Sequence, residues 1–125
     1  MTRGFVMHVD FEDCGGAVLI TFNTARFDTT NAWEIREELR DLLRDDRDIY
    51  LFDLTRVGFI DSSGVGTLIG FVKYAGRARR VELCGLTPSV TKVFRLTNLL
   101  SFFTIHQDAD EGLLSHRAIR SAVNQ

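Results

Sequence analysis

The run Phe59-Ile60-Asp61-Ser62-Ser63-Gly64-Val65-Gly66-Thr67-Leu68 places two adjacent hydroxyls where a strand ends and a helix begins. Val65, Leu68, Ile69 and Val72 recur at helical spacing, which marks an amphipathic helix starting at the serines. With Asp61 as N-cap, its carboxylate accepts the N–H of Ser63 or Gly64, and Ile60 and Val65 occupy the two positions of a hydrophobic staple. Ser62 is then the first helical residue and points toward solvent. First-turn N–H groups lack intrahelical partners and carry the positive end of the macrodipole, so a phosphoryl group placed there finds donors. The same Asp-Ser-Ser also reads as a capping sequence and nothing more.

Working outward, the elements alternate. Phe5, Met7, Val9 and Phe11 alternate with Val6, His8, Asp10 and Glu12, the period of a half-buried strand. Asp13-Cys14-Gly15-Gly16 supplies hairpin chemistry, and Ala17 to Phe22 returns as the second strand. Ala32, Ile35, Leu39, Leu42 and Leu43 predict a helix from about 30 to 44, with Thr29 or Thr30 as its cap. Ile49-Tyr50-Leu51-Phe52-Asp53-Leu54 is nearly continuous in apolar character, as in a strand covered on both faces. After the serine helix come a short strand from Val81 to Cys84 and a helix capped by Thr87 with Pro88 at its first position. That helix turns Val90, Val93, Phe94 and Thr97 inward and ends at a left-handed Asn98. A last strand spans Phe102 to His106, and Asp108 caps a helix that fades toward Gln125.

The order ββαβαβαβα predicts an α/β fold with a mixed, mostly parallel sheet and flanking helices. The opening hairpin contributes the antiparallel strand. Asp28, the Asp61 to Gly64 turn and Gly85-Leu86 all fall at the carboxyl ends of the parallel strands, the edge where such sheets gather functional loops. At 125 residues the chain forms one domain, with a core from about residue 5 to 115.

Composition narrows the function. The chain is 45% hydrophobic and 26% charged with a formal net charge of −2, so its long-range field selects neither nucleic acid nor an anionic membrane. Cys14 and Cys84 form no CxxC pair and read as reduced thiols. The amino terminus lacks the apolar run of a signal peptide and no stretch is long enough to span a bilayer, so a cytoplasmic location is expected.

Catalytic motifs fail in turn. Neither serine sits in Gly-x-Ser-x-Gly, and no sequence cue pairs His8, His106 or His116 with a serine. Gly64-Val65-Gly66-Thr67-Leu68-Ile69-Gly70 resembles a dinucleotide fingerprint, but its third glycine falls one residue late and all three lie inside the helix. Small residues for close packing explain them instead. The histidines form no metal pair by spacing, which removes a zinc reading, and no phosphate-loop motif occurs. A nucleotide-binding enzyme built on the Gly64 to Gly70 segment is retained only as a minor alternative. Trp33 lies off the first helix's apolar stripe and is expected half-buried, with a partner anchor as the second reading. Lys73, Arg77, Arg79 and Arg80 cluster where cations suit the end of the serine helix.

The serine turn, Asp53-Leu54-Thr55, and the set Pro88, Val90, Val93-Phe94, Leu96-Thr97 and Leu99 together resemble a STAS domain of the bacterial anti-sigma factor antagonist family, over most of the chain. The resemblance implies a single STAS domain over residues 1–125 and a non-enzymatic signal-transduction protein of transcription regulation. It implies a phosphoprotein in which Ser62 is modified by an anti-sigma factor serine kinase of the GHKL type. The unmodified protein binds that kinase; the phosphorylated one is released and reset by a metal-dependent PP2C-type phosphatase. Asp28, Asp61, Ser63 and Gly64 become neighbours of the switch, and Thr67, Gly70 and Phe71 the face a partner covers. No cofactor or resident metal is implied. Where the family commonly has glycine three residues before the acidic position and at position 98, this chain has Ala25 and Asn98. The alternative is an unphosphorylated STAS scaffold in a stress-signalling or lipid-transport assembly.

Overall fold

A computed structural model describes residues 8–42, 47–77 and 79–123. Phe5, Val6 and Met7 of the first alternating pattern, Leu43 of the first helical stripe and the tail at Gln125 lie outside these residues.

Strands β1 (Val9–Asp13) and β2 (Ala17–Phe22) form the opening hairpin, closed by Gly15 and Gly16, both at positive φ (69° and 102°). Strands β3 (Arg26–Phe27), β4 (Ile49–Asp53), β5 (Phe59–Ile60), β6 (Arg80–Cys84) and β7 (Thr104–His106) are interspersed with helices α1 (Ala32–Leu42), α2 (Ser62–Ala75), α3 (Pro88–Leu96) and α4 (Ala109–Val123), β4 and β5 following each other without a helix between. The main sheet runs β1-β2-β4-β6-β7; β1 is antiparallel to β2, and every other pair is parallel. The expected ββαβαβαβα order is recovered in these nine elements. Beyond them, β3 and β5 pair in parallel as a separate two-stranded ribbon, Arg26 opposite Phe59 and Phe27 opposite Ile60. Two residues carry no readable period, which is why neither strand shows in the pattern.

β4 lies at the centre, and both its faces are covered, as its apolar run predicts. Tyr50 and Phe52 point to one side and meet Phe71 of α2 at ring-centroid distances of 5.5 and 4.9 Å; Phe22 stands 5.5 Å from Phe52 and 5.4 Å from Phe27. Ile35, Leu39 and Leu68 complete this layer from α1 and α2, all essentially fully buried. Burying each such side chain contributes about 1.5–3 kcal/mol. Leu51 points to the other side, where α4 closes over it. Gly112 makes that approach feasible, since a Cβ there would lie 2.7 Å from Leu51 Cδ2.

The caps follow the sequence closely. Thr87 Oγ1 accepts Val90 N at the start of α3, Asp108 Oδ1 accepts Glu111 N at 2.8 Å near the start of α4, and Asn98 adopts φ 59° after α3. Three expectations are corrected. Thr97 is exposed, its hydroxyl returned to the Val93 carbonyl, so it does not join the inward stripe. Trp33 is 66% exposed rather than half-buried, with the Arg36 guanidinium 5.7 Å from its ring centroid. Neither Thr29 nor Thr30 caps α1, because both hydroxyls are engaged by aspartates. Cys14 and Cys84 form no disulfide; burial, then Asp53 and Asp108, push the Cys84 thiol up to about 12, so it is inert at neutral pH.

Candidate functional site

The serine turn is built by the small ribbon. Asp61 N donates to the Phe27 carbonyl at 3.3 Å, while Gly58 N and Phe59 N donate to the Ala25 carbonyl at 2.9 and 3.2 Å. Ala25 supplies these bonds without positive φ, so its backbone needs no glycine here. Gly64 then brings the first turn of α2 against β3, with its Cα where a Cβ would meet Phe27 O at 2.5 Å and Ile60 Cγ1 at 2.7 Å.

Asp61 is the N-cap, with φ −116° and ψ −171°, and its Oδ1 accepts Ser63 N at 2.8 Å and Gly64 N at 3.1 Å. Burial pushes its carboxyl upward, but the N–H groups of Gly64, Thr29 and Ser63 outweigh that and hold it below its ordinary value of 3.8. The sign follows from linkage: a carboxyl lowered by folding contributes stability above 3.8 and loses it as pH falls below that value. Replacing Asp61 by Ala should cost about 1 kcal/mol at neutral pH, as for other lost caps. In urea titrations the gap between wild type and Asp61→Ala should narrow progressively below pH 4; a constant gap down to acid pH would contradict the cap's charge.

Ser62 begins α2 and is exposed, and its hydroxyl makes no hydrogen bond among the described residues. Ser63 is held instead: its Oγ lies 3.2 Å from Thr29 Oγ1. Thr29 also donates to Asp61 Oδ2 through its N–H and its hydroxyl, at 3.3 and 3.2 Å. Nothing in its local sequence marks Thr29 as a site residue, since its partners are 32 and 34 positions away. Asp28 is only 5% exposed and works inside its own loop. Its carboxylate takes the Thr30 N–H at 3.0 Å, the Thr30 hydroxyl and Arg26 Nε at 2.9 Å. The Thr30 hydroxyl chiefly, with the Thr30 N–H and Arg26, holds the Asp28 carboxyl below its usual range against the opposing effect of burial. Asp28 therefore presents Thr29 to the serine turn. Gly85-Leu86 sits elsewhere, against the loop after β4: a Cβ on Gly85 would strike the Thr55 hydroxyl, and Thr87 Oγ1 bonds the Val57 carbonyl at 2.8 Å.

A groove of about 300 Å³ runs from Ser62 and Ser63 between α1 and α2, past Gly66, Thr67, Gly70 and Phe71 to Tyr74, with Arg36 and Arg40 on its α1 side. Thr67 returns its hydroxyl to the Ser63 carbonyl at 2.9 Å. Phe71, expected on the exposed face, is 5% exposed and forms the floor. Gly66 and Gly70 meet nothing within 4 Å of an added Cβ, which corrects their reading as close-packing residues; only Gly64 has that role. The glycines lie within α2 rather than in the turn before it, a placement unlike a dinucleotide loop.

The structure also unites side chains the sequence keeps apart. His106 Nε2 and His116 Nε2 lie 2.7 and 2.8 Å from Glu82 Oε1, on the α4 side of the sheet. The three histidines give no metal-ligand spacing, yet two of them meet one carboxylate in space.

A family model described as the STAS domain matches residues 8–112. Among solved structures, an anti-sigma factor antagonist from Mycobacterium paratuberculosis superposes with a TM-score of 0.79 at 20% identity, covering 87% of this chain and 92% of that one. The Bacillus cell fate determinant SpoIIAA in its phosphorylated form gives 0.65 at 22% identity, covering 84% and 96%. The murine solute carrier 26 family member A9 anion transporter gives 0.74 at 13% identity, covering 86% of this chain and 18% of that one. One fold thus recurs in proteins of very different roles, and the site must carry the functional argument.

Proposed function

Because the chain belongs to the STAS domain family, we propose that it is an anti-sigma factor antagonist whose Ser62 is the switch. Unmodified, it binds an anti-sigma factor kinase of the GHKL type and frees the sigma factor. Phosphorylated on Ser62, it is released until a PP2C-type phosphatase restores the hydroxyl. The observation that carries this reading is the contrast between two adjacent serines: the Ser62 hydroxyl is exposed and makes no hydrogen bond among the described residues, whereas that of Ser63 is tied to Thr29.

The mechanism is electrostatic. A phosphoryl group adds about −1.5 to −2 charge at neutral pH. The sequence alone suggests that first-turn N–H groups receive it, but Asp61 already occupies those of Ser63 and Gly64. The new charge therefore stands beside a carboxylate with few internal donors left, and it faces outward toward whatever covers the groove. An interface shaped for a hydroxyl must then desolvate a dianion.

The test is phosphosite mapping on protein isolated from its native cells. Phosphate is expected on Ser62 and not on Ser63, and the Ser62→Ala protein should carry none. Protein that stays unmodified under every condition in which its partner complexes exchange would overturn the reading and favour the scaffold alternative.

The bare groove wall makes a second prediction. Gly66→Ala and Gly70→Ala each fill open space and should raise stability by about 0.8 kcal/mol through helix propensity. If the partner lies along this wall, Gly70→Ala should nonetheless weaken the complex by roughly tenfold, because an added methyl holds the surfaces apart. Calorimetric melts and titrations against the partner separate the two effects; unchanged affinity would move the interface off α2.

A further inference from the structure

Glu82 on β6, His106 on β7 and His116 on α4 converge on the side of the sheet away from the groove. The geometry points to a binding site for a divalent first-row transition ion of the zinc class, held by Glu82 Oε1 and the Nε2 atoms of His106 and His116 and fastening α4 to the sheet.

The donor set is the first argument. Two imidazoles and a carboxylate suit zinc and its neighbours in the series rather than calcium or magnesium. All three ligand atoms lie within 4.8 Å of one another. An ion at about 2.0–2.2 Å from each tetrahedral ligand needs separations of about 3.4 Å. The two His–Glu distances of 2.7 and 2.8 Å thus open by about 0.6–0.7 Å, and the two imidazole nitrogens, within 4.8 Å of each other, draw together around the ion.

The surroundings are the second argument. The side chains of Glu82, His116 and His106 are 3%, 7% and 11% exposed, so an ion held there is largely shielded from bulk water, and three protein ligands leave the fourth tetrahedral position to a non-protein ligand. Glu111 Oε1 lies 3.8 Å from His106 Nδ1, on the far side of the ring from Glu82. The contact is too long for a hydrogen bond, and Glu111 Oε1 already accepts Gln107 N at 3.2 Å, but a shift of about 1 Å would let this carboxylate hold the Nδ1 proton as carboxylates behind metal-bound histidines do. When Nε2 binds the ion, the ring proton resides on Nδ1, facing Glu111. Glu82 Oε2 is buried and has no hydrogen bond, although Arg80 Nη2 stands 2.8 Å away as an ion pair. The Arg80 ion pair fixes the carboxylate through Oε2 and leaves Oε1 turned toward the two histidines. Gly112 adds a positional reason: a Cβ there would lie 2.7 Å from Leu51 Cδ2 and 3.2 Å from His106 Cδ2, so the glycine lets α4 lie close to both, and His116 follows one turn later beside Glu82.

The test uses tag-free, chelator-treated full-length protein titrated calorimetrically with Zn²⁺, and with Co²⁺ followed by its visible d–d bands. One ion per chain, tetrahedral-type cobalt bands and a higher melting temperature with metal are expected. Glu82→Gln, His106→Gln and His116→Gln should each weaken binding by about a hundredfold or more. His8→Gln, which removes the histidine paired with Glu38 at 2.8 Å, should leave binding unchanged. If a variant fails to fold, ¹⁵N spectra of the wild-type imidazoles decide: Zn²⁺ should shift the Nε2 signals of His106 and His116 and spare His8. Absence of stoichiometric binding, or binding that survives all three ligand substitutions, would show that the trio is only an internal hydrogen-bond network.

Discussion

Phosphorylation of Ser62 should lower affinity for the kinase partner about a thousandfold, close to 4 kcal/mol, while leaving the fold of the free protein intact. The magnitude rests on a dianion enclosed beside Asp61, whose Oδ1 already holds the Ser63 and Gly64 N–H groups at 2.8 and 3.1 Å. Protein carrying phosphoserine at position 62, titrated against the partner, gives the number directly. Ser62→Asp adds one charge instead of two and should fall between phosphoprotein and wild type. Ser62→Ala should bind like the unmodified form. Amide spectra should change only near β3, the loop to α1 and the first turn of α2. A phosphorylated structure in which α2 is rebuilt would replace local repulsion with a conformational mechanism.

Gly64→Ala should destabilise the protein by about 3 kcal/mol, at the upper end of overpacking costs, and lower the melting temperature by roughly 10 °C. The added methyl would meet a backbone oxygen, Phe27 O, at 2.5 Å as well as Ile60 Cγ1 at 2.7 Å, and the backbone cannot swing aside as a side chain does. Phe27 O is also the acceptor for Asp61 N, so relief of the clash pulls the ribbon and the cap apart. The same substitution two residues later, at Gly66, should stabilise. Opposite signs at two glycines of one helix are the signature of close approach at the first and bare propensity at the second. Equal effects on melting would refute the packing assigned to Gly64.

Local features of the site were legible because their partners lie within a helical turn. Asp61 accepting Ser63 N and Gly64 N, Thr87 with Pro88, Asp108 and the left-handed Asn98 all follow from short-range chemistry. The central β4 was legible from its unbroken apolar run. What stayed hidden is long in range or too short in length. Thr29 reaches Asp61 across 32 residues, and no motif encodes that contact. The β3–β5 ribbon is two residues deep, below any period. Glu82 meets His106 and His116 across 24 and 34 residues, so sequence spacing could not expose the cluster. Gly66 and Gly70 misled because the pattern of small residues is the same whether a helix face is pressed against a neighbour or left bare.

The hairpin turn at Gly15 and Gly16 lies where β2 begins, whereas Ser62 follows β5 at the end where the parallel strands finish. The two therefore sit at opposite ends of the sheet. A fluorescent reporter spliced between these glycines would ride on the protein without crowding the serine, and could follow exchange of partners inside living cells in real time.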